Sequence, residues 1–376
     1  MFKSPLQVDF DITMKCMYKC RHCNVAAGKS LDNELTTDEI KKIIDELYMI
    51  GVCDLSLTGG EPLLRKDCLE LLEYASQKKG MMLTLNTNGL LLSKNVINFL
   101  EKKCPNLNIS VSLDGYNPQT YRILRRNYNN QDSDMSKEFK IVKNNLLLLG
   151  KSKLSCGVNF TVTESTIPYL FKTFDYISTL GIDKMLAIKF FPYGYGRDNR
   201  DELELRYESW ENFIKKLLDY KKIGKYEGIQ ISVTCPWEIY LPAKRLKISS
   251  KDINEKLGYN SPLESELYKK NRDIGCHAGI TSCAICANGD VYPCGTISAN
   301  FPPFVCGNLK ENTMINIWKN STVLKHLREI KINDLEGNCI NCDLKSICGG
   351  GCRARAYTES NKLNGKDYLC PIIEGE

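Results

Sequence analysis

The sequence predicts an α/β fold, a partial (β/α)6 TIM-like barrel followed by a cysteine-rich C-terminal domain. Short apolar or β-branched runs alternate with amphipathic helical stretches over residues 6–200, and six such strand–helix units can be counted. From Cys276 onward this periodicity gives way to Gly, Asn and Cys, which predicts a separate domain. A doubly wound parallel sheet is the alternative architecture for the first part.

Six segments have the composition of buried strands. Each is a short run rich in aliphatic or β-branched residues, which is typical of strands in repeated strand–helix units. The segments are LQVDFDI (6–12), CDLSLTG (53–59), MLTLNT (82–87), NISVSL (108–113), CGVNFTVT (156–163) and LAIKFFP (186–192).

The intervening stretches have the pattern of amphipathic helices. In TTDEIKKIIDELYMIG, residues 36–51, a Thr cap begins the helix and Gly51 ends it. Its apolar residues recur at helical spacing, at Ile40, Ile43, Ile44 and Leu47. CLELLEYASQKKG and SKNVINFLEKK repeat the pattern.

Composition along the chain predicts three parts. Residues 1–200 form the barrel, residues 201–275 form a polar helical bridge, and residues 276–376 form the cysteine-rich domain. The last part contains too little apolar surface to fold without additional crosslinks, and we expect bound metal to supply these crosslinks.

Bulk composition limits the classes of function. The 51 basic and 45 acidic residues are interspersed, which argues against nucleic-acid binding. No secretory signal and no run of about 18 apolar residues is present, so we expect a cytoplasmic protein without a membrane segment. In that reducing compartment, 18 cysteines indicate metal or redox chemistry rather than disulfides.

Three cysteines stand together in KCMYKCRHCN, after the first predicted strand. Cys16, Cys20 and Cys23 have the spacing C-x3-C-x2-C. Three thiolates can hold three irons of a 4Fe–4S cube, which leaves the fourth iron open to a substrate or cofactor. The alternative is a zinc site completed by a distant ligand such as His22 or Cys53.

This cysteine loop, followed by LTGGEPLLRKD after the second strand, resembles the radical S-adenosylmethionine (SAM) superfamily. The resemblance implies that the open iron chelates the amino and carboxylate groups of SAM. It also implies that an electron from the cluster cleaves SAM to a 5′-deoxyadenosyl radical, which abstracts a hydrogen atom from the substrate. Cys16, Cys20 and Cys23 would then be the catalytic cysteines.

The TGGEP segment is a candidate SAM contact. Gly59 and Gly60 permit a tight turn whose backbone can approach a ligand closely. Glu61 is expected to accept hydrogen bonds from an ammonium group, and Pro62 is expected to begin the next helix. A purely structural Gly-Gly turn is the alternative.

Later strand ends supply further candidates by resemblance. LNTNG and SVSLDG are similar to the third and fourth strand ends of the family, which implies SAM contacts from Asn86, Ser112 and Asp114. Arg125 resembles the arginine that reaches the SAM carboxylate, although Arg126 stands where the family often has glycine. FFPYGYGR, residues 190–197, is similar to the sixth strand exit.

The tail contains the run C-x2-C-x5-C-x3-C, which could hold structural zinc or an iron–sulfur cube. With the flanking cysteines, it resembles the SPASM extension, which carries two auxiliary 4Fe–4S clusters. The resemblance assigns Cys276, Cys294 and Cys352 to the first auxiliary cluster, with Cys283 or Cys286 as the fourth ligand or with an open iron. It assigns Cys339, Cys342, Cys348 and Cys370 to the second.

The remaining cysteines have no partner spacing, and we expect most of them to be small buried apolar residues. They are Cys53, Cys68, Cys104, Cys156, Cys235 and Cys306.

A SPASM tail most often accompanies peptide modification, so the resemblance implies a peptide substrate that is oxidised or crosslinked through thioether or carbon–carbon bonds. Fifteen residues precede Cys16, so a leader peptide would need a separate recognition protein. Flavodoxin or ferredoxin is the expected reductant. Gly295 argues against sulfatase-type maturation, because those enzymes usually carry an acidic base at that position.

Two alternatives to peptide modification remain. Tetrapyrrole side-chain chemistry, which related enzymes perform, would need no leader peptide. The alternative from another functional class is a non-catalytic iron–sulfur electron carrier, which would contain the cubes without cleaving SAM.

Overall fold

The computed structural model describes residues 2–129, 134–235, 237–257, 274–297 and 302–372. Within these ranges, ten strands form one sheet. The strands are β1 (Gln7–Thr13), β2 (Asp54–Gly59), β3 (Met82–Thr87), β4 (Leu107–Ser112), β5 (Ser155–Val162), β6 (Lys184–Lys189), β7 (Gln230–Val233), β8 (Ser282–Ile285), β9 (Asp290–Tyr292) and β10 (Gly307–Asn308).

Strands β1 to β7 lie side by side in chain order, and each neighbouring pair is parallel. A doubly wound sheet would instead reverse its strand order part of the way along the chain. The described sheet ends at β7 on one side and at β10 on the other, so it stays open. The predicted partial barrel is confirmed.

Helices connect the strands and cover the outside of the sheet. They are α1 (Thr37–Met49), α2 (Cys68–Ser76), α3 (Lys94–Lys103), α4 (Pro118–Leu124), α5 (Ser136–Gly150), α6 (Leu170–Ser178), α7 (Tyr195–Asp198), α8 (Arg200–Leu203), α9 (Tyr207–Lys222), α10 (Trp237–Arg245), α11 (Ser250–Leu257), α12 (Met314–Asn320), α13 (Thr322–Glu329), α14 (Lys345–Cys348) and α15 (Arg353–Ser360).

Helix α1 begins and ends where its sequence indicates. The Thr36 hydroxyl accepts a hydrogen bond from the Glu39 backbone N–H, and the Glu39 carboxylate accepts one from the Thr36 N–H. Gly51, with φ of 86°, follows the last turn in a left-handed conformation. The four predicted apolar positions of this helix are all buried.

Strand β1 shows how the sheet separates its two faces. Val8, Phe10 and Ile12 are buried in the main apolar core. The alternate residues Asp9 and Asp11 therefore point to the opposite face, into the lumen enclosed by the strands. The apolar core thus lies outside the sheet, and polar side chains line its interior.

Four strands, β7 to β10, lie outside the six predicted units, and two of them pair directly with predicted strands. Where the sequence analysis expects helices between residues 201 and 275, β7 extends the parallel sheet beside β6. In addition, β8 from the cysteine-rich tail pairs in parallel with β1. Both strands are only four residues long, so neither produces a clear alternating pattern in the sequence.

The tail packs directly onto the barrel. The Tyr193 hydroxyl donates a hydrogen bond to the Ala354 carbonyl at 2.6 Å. The Asn24 side-chain amide donates one to the Gly295 carbonyl at 2.9 Å. A second apolar cluster combines Met14 of the barrel with Cys276 of the tail. None of the described helices is both long and apolar enough to cross a bilayer.

Candidate functional site

The loop after β1 gathers the first three cysteines. Its two ends are joined by backbone hydrogen bonds from Cys16 N–H to Gly28 O and from Gly28 N–H to Met14 O. The Cys16 thiol lies close enough to those of Cys20 and Cys23 for their charges to interact. Burial raises the pKa of Cys20 to about 11 in the free thiol. The three predicted ligands therefore share one enclosed site.

The segments after α4 and after β6 hold this loop in place. The Lys19 N–H donates to the Arg126 carbonyl at 2.8 Å, and the Tyr195 N–H donates to the Cys23 carbonyl at 2.9 Å. Gly194 has a φ of 55°, and a Cβ at this glycine would lie 2.5 Å from the Cys23 carbonyl oxygen. The predicted sixth strand exit thus contacts the cysteine loop, which requires glycine at that point.

The Gly-Gly turn after β2 runs along the start of the same loop. Gly59 has a φ of 131°, and an added Cβ would lie 2.3 Å from the Thr13 carbonyl oxygen. An added Cβ at Gly60 would lie 2.3 Å from the Lys15 carbonyl oxygen. The close approach of two backbones next to the cysteines accounts for both glycines. Pro62 begins a short 3-10 helix, as expected.

Glu61 is completely buried below this turn. Its carboxylate accepts hydrogen bonds from the Thr87 hydroxyl at 2.7 Å, the Asn88 N–H at 2.8 Å and the Leu63 N–H at 3.1 Å. Burial raises the pKa of Glu61 in spite of these donors. The carboxylate therefore ties β2 to the end of β3, whereas the sequence analysis expects it to receive an ammonium group.

Asp114 and Arg125 form a buried ion pair beside the cysteines. Two guanidinium nitrogens of Arg125 donate to one Asp114 oxygen at 2.7 and 2.9 Å. Burial alone would raise the pKa of Asp114, but the adjacent guanidinium outweighs burial and lowers it. The guanidinium charge also interacts with the Cys20 thiol. His22 lies 3.9 Å from Asp114, and burial lowers its pKa to about 4.

Asn86 and Ser112 lie on a polar strip of the lumen. The Asn159 amide donates to the Asn86 side-chain oxygen at 3.1 Å, and Ser112 stands opposite Asn159 in the β4–β5 register. An open cavity of about 150 Å³ continues this strip between β4 and β7. Its lining includes Asn108, Ser110, Ser155, Asn159, Lys184 and Gln230.

The opposite wall of the lumen is acidic. Desolvation by the surrounding strands, followed by the charge of Asp54, raises the pKa of Asp9 to about 6, and the Asp9 side chain faces the open lumen. Burial, followed by the charge of Asp9, raises the pKa of Asp11 to about 7. An added Cβ at Gly295 would lie 2.7 Å from an Asp9 carboxylate oxygen. The structure thus places a carboxylate from β1 beside Gly295, where the sequence analysis finds no acidic residue.

The tail cysteines form two groups. The Cys294 thiol interacts with those of Cys276 and Cys352, which joins the three residues assigned to the first auxiliary cluster. Cys283 lies completely buried in the main core on the outer face of β8, while Cys286 lies beside Asp11. Of the two candidate fourth ligands, Cys283 therefore points into the apolar core and Cys286 points towards an acidic side chain.

The second tail group brings together all four residues assigned to it. Cys339 interacts with Cys342 and Cys370, and Cys348 interacts with Cys339 and Cys370. All four line a cavity of about 40 Å³. The Leu344 N–H also lies 3.4 Å from the Cys342 sulfur. Such N–H donors suit cluster-bound thiolates, and they recur in the other groups at Cys16 and Cys294.

Four buried charges separate the two tail groups, and the sequence analysis gives no indication of them. Arg355 donates to both Asp367 oxygens at 2.9 Å and to Glu238 at 3.2 Å. Lys189 at the end of β6 lies 3.7 Å from Glu238, and burial lowers its pKa to about 8. Asp367 also accepts a hydrogen bond from the Cys352 N–H at 2.7 Å. These ion pairs fix the tail against the barrel.

The cysteine groups fit iron–sulfur clusters in the number of ligands, their grouping and their N–H donors. In the parts of the chain that the structure describes, no three His, Cys, Asp or Glu side chains converge on a point suited to a single metal ion.

Known proteins resemble the chain along its whole length. Residues 10–149 match the radical SAM superfamily, and residues 276–343 match the SPASM iron–sulfur cluster-binding domain. An AdoMet-dependent heme synthase of Methanosarcina barkeri is 31% identical over 100% of this chain and 99% of its own length. Mycofactocin maturase MftC of Mycolicibacterium smegmatis is 28% identical over 99% of this chain and 83% of its own.

A solved structure shares the fold. Streptococcus suis SuiB bound to its precursor peptide SuiA superimposes with a TM-score of 0.73 at 19% identity, covering 98% of this chain and 76% of SuiB. The chain belongs to the radical SAM superfamily and carries a SPASM domain. It is therefore an enzyme rather than a bare electron carrier, and its cofactors are 4Fe–4S clusters and SAM.

Proposed function

We propose that this radical SAM enzyme oxidises or crosslinks a peptide substrate that enters the lumen beside Gly295. The acidic wall formed by Asp9 and Asp11 carries the proposal. Such a wall accommodates neutral or cationic side chains, whereas it repels a tetrapyrrole that bears several carboxylates.

The residues around the barrel mouth are assigned to cofactor binding. Cys16, Cys20 and Cys23 hold the cluster that binds SAM, while the Arg125–Asp114 pair orients the methionyl carboxylate. Backbone groups of the turn at Gly59 and Gly60 face SAM. In the remaining lumen, Asn86 and Ser112 contact its ribose and methionyl parts, and Glu61 holds the turn in position. When bound, these cofactors would supply the radical chemistry, and the auxiliary clusters would provide an acceptor for the surplus electron.

Asp9 is assigned the role of proton acceptor. Oxidising a peptide C–H or S–H bond beyond the first hydrogen abstraction requires that a proton leave the substrate. With a pKa of about 6, Asp9 is largely ionised at neutral pH and can accept this proton. Because this pKa lies close to neutral pH, Asp9 can also release the proton afterwards.

The test compares Asp9→Asn with Asp54→Asn, a lumen carboxylate that instead accepts a hydrogen bond from Gln7 at 3.1 Å. Each anaerobically reconstituted protein is reduced with dithionite and incubated with SAM and with every small peptide that a short open reading frame next to its gene encodes. We expect both variants to release 5′-deoxyadenosine and only Asp9→Asn to lose the mass change of the peptide by about 100-fold or more. Equal product from both variants would remove Asp9 from this role.

A second candidate is tetrapyrrole modification, and the heme synthase relative favours it. Incubation with Fe-coproporphyrin III in place of the peptide distinguishes the two, because another relative, from Methanosarcina barkeri, is an Fe-coproporphyrin III synthase. A new tetrapyrrole product, together with an unchanged peptide, would overturn the peptide proposal and leave the radical chemistry intact. With a peptide substrate, we also propose two partners. One is a separate protein that recognises the leader peptide, and the other is a flavodoxin or ferredoxin that supplies electrons.

A further inference from the structure

We propose that Cys235 supplies the fourth thiolate of the first auxiliary cluster, together with Cys276, Cys294 and Cys352. Cys235 lies in the loop between β7 and α10, more than 40 residues before the other three. The inference rests on the proposed assignment of that cluster and is independent of the substrate.

Local hydrogen bonds fix the loop that carries Cys235. The Glu238 N–H donates to the Cys235 carbonyl at 2.9 Å, which closes a turn at the start of α10. The Thr234 hydroxyl donates to the Glu238 carboxylate at 3.0 Å. The Trp210 indole N–H donates to the Glu238 carbonyl at 2.7 Å, which anchors this turn to α9. The position of Cys235 is thus set by the barrel.

Two contacts hold this turn between the tail segments that contain Cys276 and Cys352. The Trp237 ring stacks on His277, the residue after Cys276, with ring centroids 6.3 Å apart and planes 18° apart. The Glu238 carboxylate pairs with Arg355 at 3.2 Å. The Cys235 thiol accordingly interacts with the thiols of both Cys276 and Cys352.

The other two candidate cysteines are less well placed. Neighbouring residues of a strand point to opposite faces, and Cys283 shares the outer face of β8 with Ile285 in the main core. The Cys286 thiol has Asp11 and Asp290 as its charged neighbours. Cys283 has Cys294 alone of the three assigned ligands among its charged neighbours, whereas Cys235 has both Cys276 and Cys352.

A fourth protein thiolate changes what this cluster can do. All four of its irons are ligated by cysteine, so it leaves no open position for a substrate thiolate and is restricted to electron transfer. It also joins the β7–α10 segment to the tail covalently through the cluster.

The first experiment isolates the auxiliary clusters by starting from the Cys16→Ala, Cys20→Ala, Cys23→Ala protein. Cys235→Ala, Cys352→Ala and Cys283→Ala are each added to this background and reconstituted anaerobically. Mild oxidation with ferricyanide removes the iron that lacks a cysteine ligand, and electron paramagnetic resonance detects the resulting 3Fe–4S cluster. We expect about one such cluster per chain in the Cys235 and Cys352 variants, and none in the background or the Cys283 variant.

The outcomes separate the inference from the assignment on which it rests. A 3Fe–4S signal in the Cys352 variant without one in the Cys235 variant overturns the role of Cys235 alone. The same signal in the Cys283 variant instead would transfer that role to Cys283. Absence of the signal from the Cys352 variant overturns the assignment of the cluster, and with it the inference.

A second measurement leaves the native residue in place. Iodoacetamide labelling is followed by mass spectrometry on the reconstituted protein and on the chelator-treated protein. We expect Cys235 and Cys276 to be protected together in the first and labelled together in the second. Labelling of Cys235 in the reconstituted protein, or its continued protection when Cys276 becomes labelled, contradicts the proposal.

Discussion

The cysteine loop of the barrel and the cysteine groups of the tail are held by different forces. The barrel loop is attached to a sheet whose outer face carries completely buried residues such as Phe10, Ile12 and Leu57. The tail segment around Cys348 consists of short helices, three consecutive glycines with positive φ, and buried ion pairs. The barrel can bury enough apolar surface to fold without its cluster, whereas the tail depends on charges and metal.

The largest expected effect tests the barrel side of this comparison. Replacement of Cys16, Cys20 and Cys23 by Ala should reduce SAM cleavage below detection and leave the tail clusters in place. Iron analysis should give about eight instead of about twelve irons per chain. Chromatographic assay of 5′-deoxyadenosine measures the loss, and continued formation of this product would show that the site is assigned wrongly.

The segment that carries the second tail group should unfold when that group loses one ligand. In Cys348→Ala, we expect residues 337–372 to become sensitive to protease and to exchange amide hydrogens rapidly, because the cluster binding energy of this segment is also its folding energy. Residues 7–162 should remain protected. Cys104→Ala is the matched control, since it removes a buried thiol from the barrel outside the three groups. Equal protection of the tail in both variants would contradict the comparison.

The buried ion pairs should contribute next. Arg355 is 2% exposed, and Arg355→Met leaves Asp367 and Glu238 without their main cationic partner. We expect the tail to lose about 3–5 kcal/mol in free energy of unfolding. Arg245→Met, which removes the half-exposed partner of Glu211, should cost far less. Denaturant titration of both variants measures the difference. Similar losses in free energy of unfolding would contradict this expectation.

The smallest effect concerns the lumen. Since burial raises the pKa of Asp11 to about 7, from an ordinary value of 3.8, the folded state holds this proton more tightly than the unfolded state. Stability should therefore fall as pH rises from about 4 to 7. Asp11→Asn should remove this dependence and stabilise the protein at pH 8, where the buried Asp11 carboxylate is largely ionised. Asp219→Asn, at an exposed position, should leave the pH profile of unfolding unchanged.

Local patterns predicted the barrel closely. All six strand segments appear within three residues of their expected ends, because buried strands and capped helices leave periodic signals. The spacing of Cys16, Cys20 and Cys23 likewise indicated one group, whereas the two tail groups were assigned through the resemblance to the SPASM extension. The role expected for Glu61 did not emerge from such local patterns. Its carboxylate is bound by Thr87, which lies more than 20 residues later in the chain, at the end of β3.

Contacts between distant parts of the chain left no such signal. Cys235 had no partner spacing, although the fold brings it beside Cys276 and Cys352. Asp9 appeared as one polar residue of an alternating strand, and only the packing of Gly295 against it shows where its carboxylate lies. Arg355 likewise seemed an ordinary polar residue of the tail. Each of these residues gains its role from tertiary packing.

The pairing of β8 with β1 means that the two matched domains cannot be separated cleanly. From Gln7 to Phe10, β1 takes its backbone partners on one side from the tail. A truncated barrel that ends at residue 275 would expose this row of amide and carbonyl groups as a free edge. Exposed edges of this kind recruit strands from other molecules, so a truncated version would aggregate, and laboratory dissection of the enzyme must retain residues 282–285.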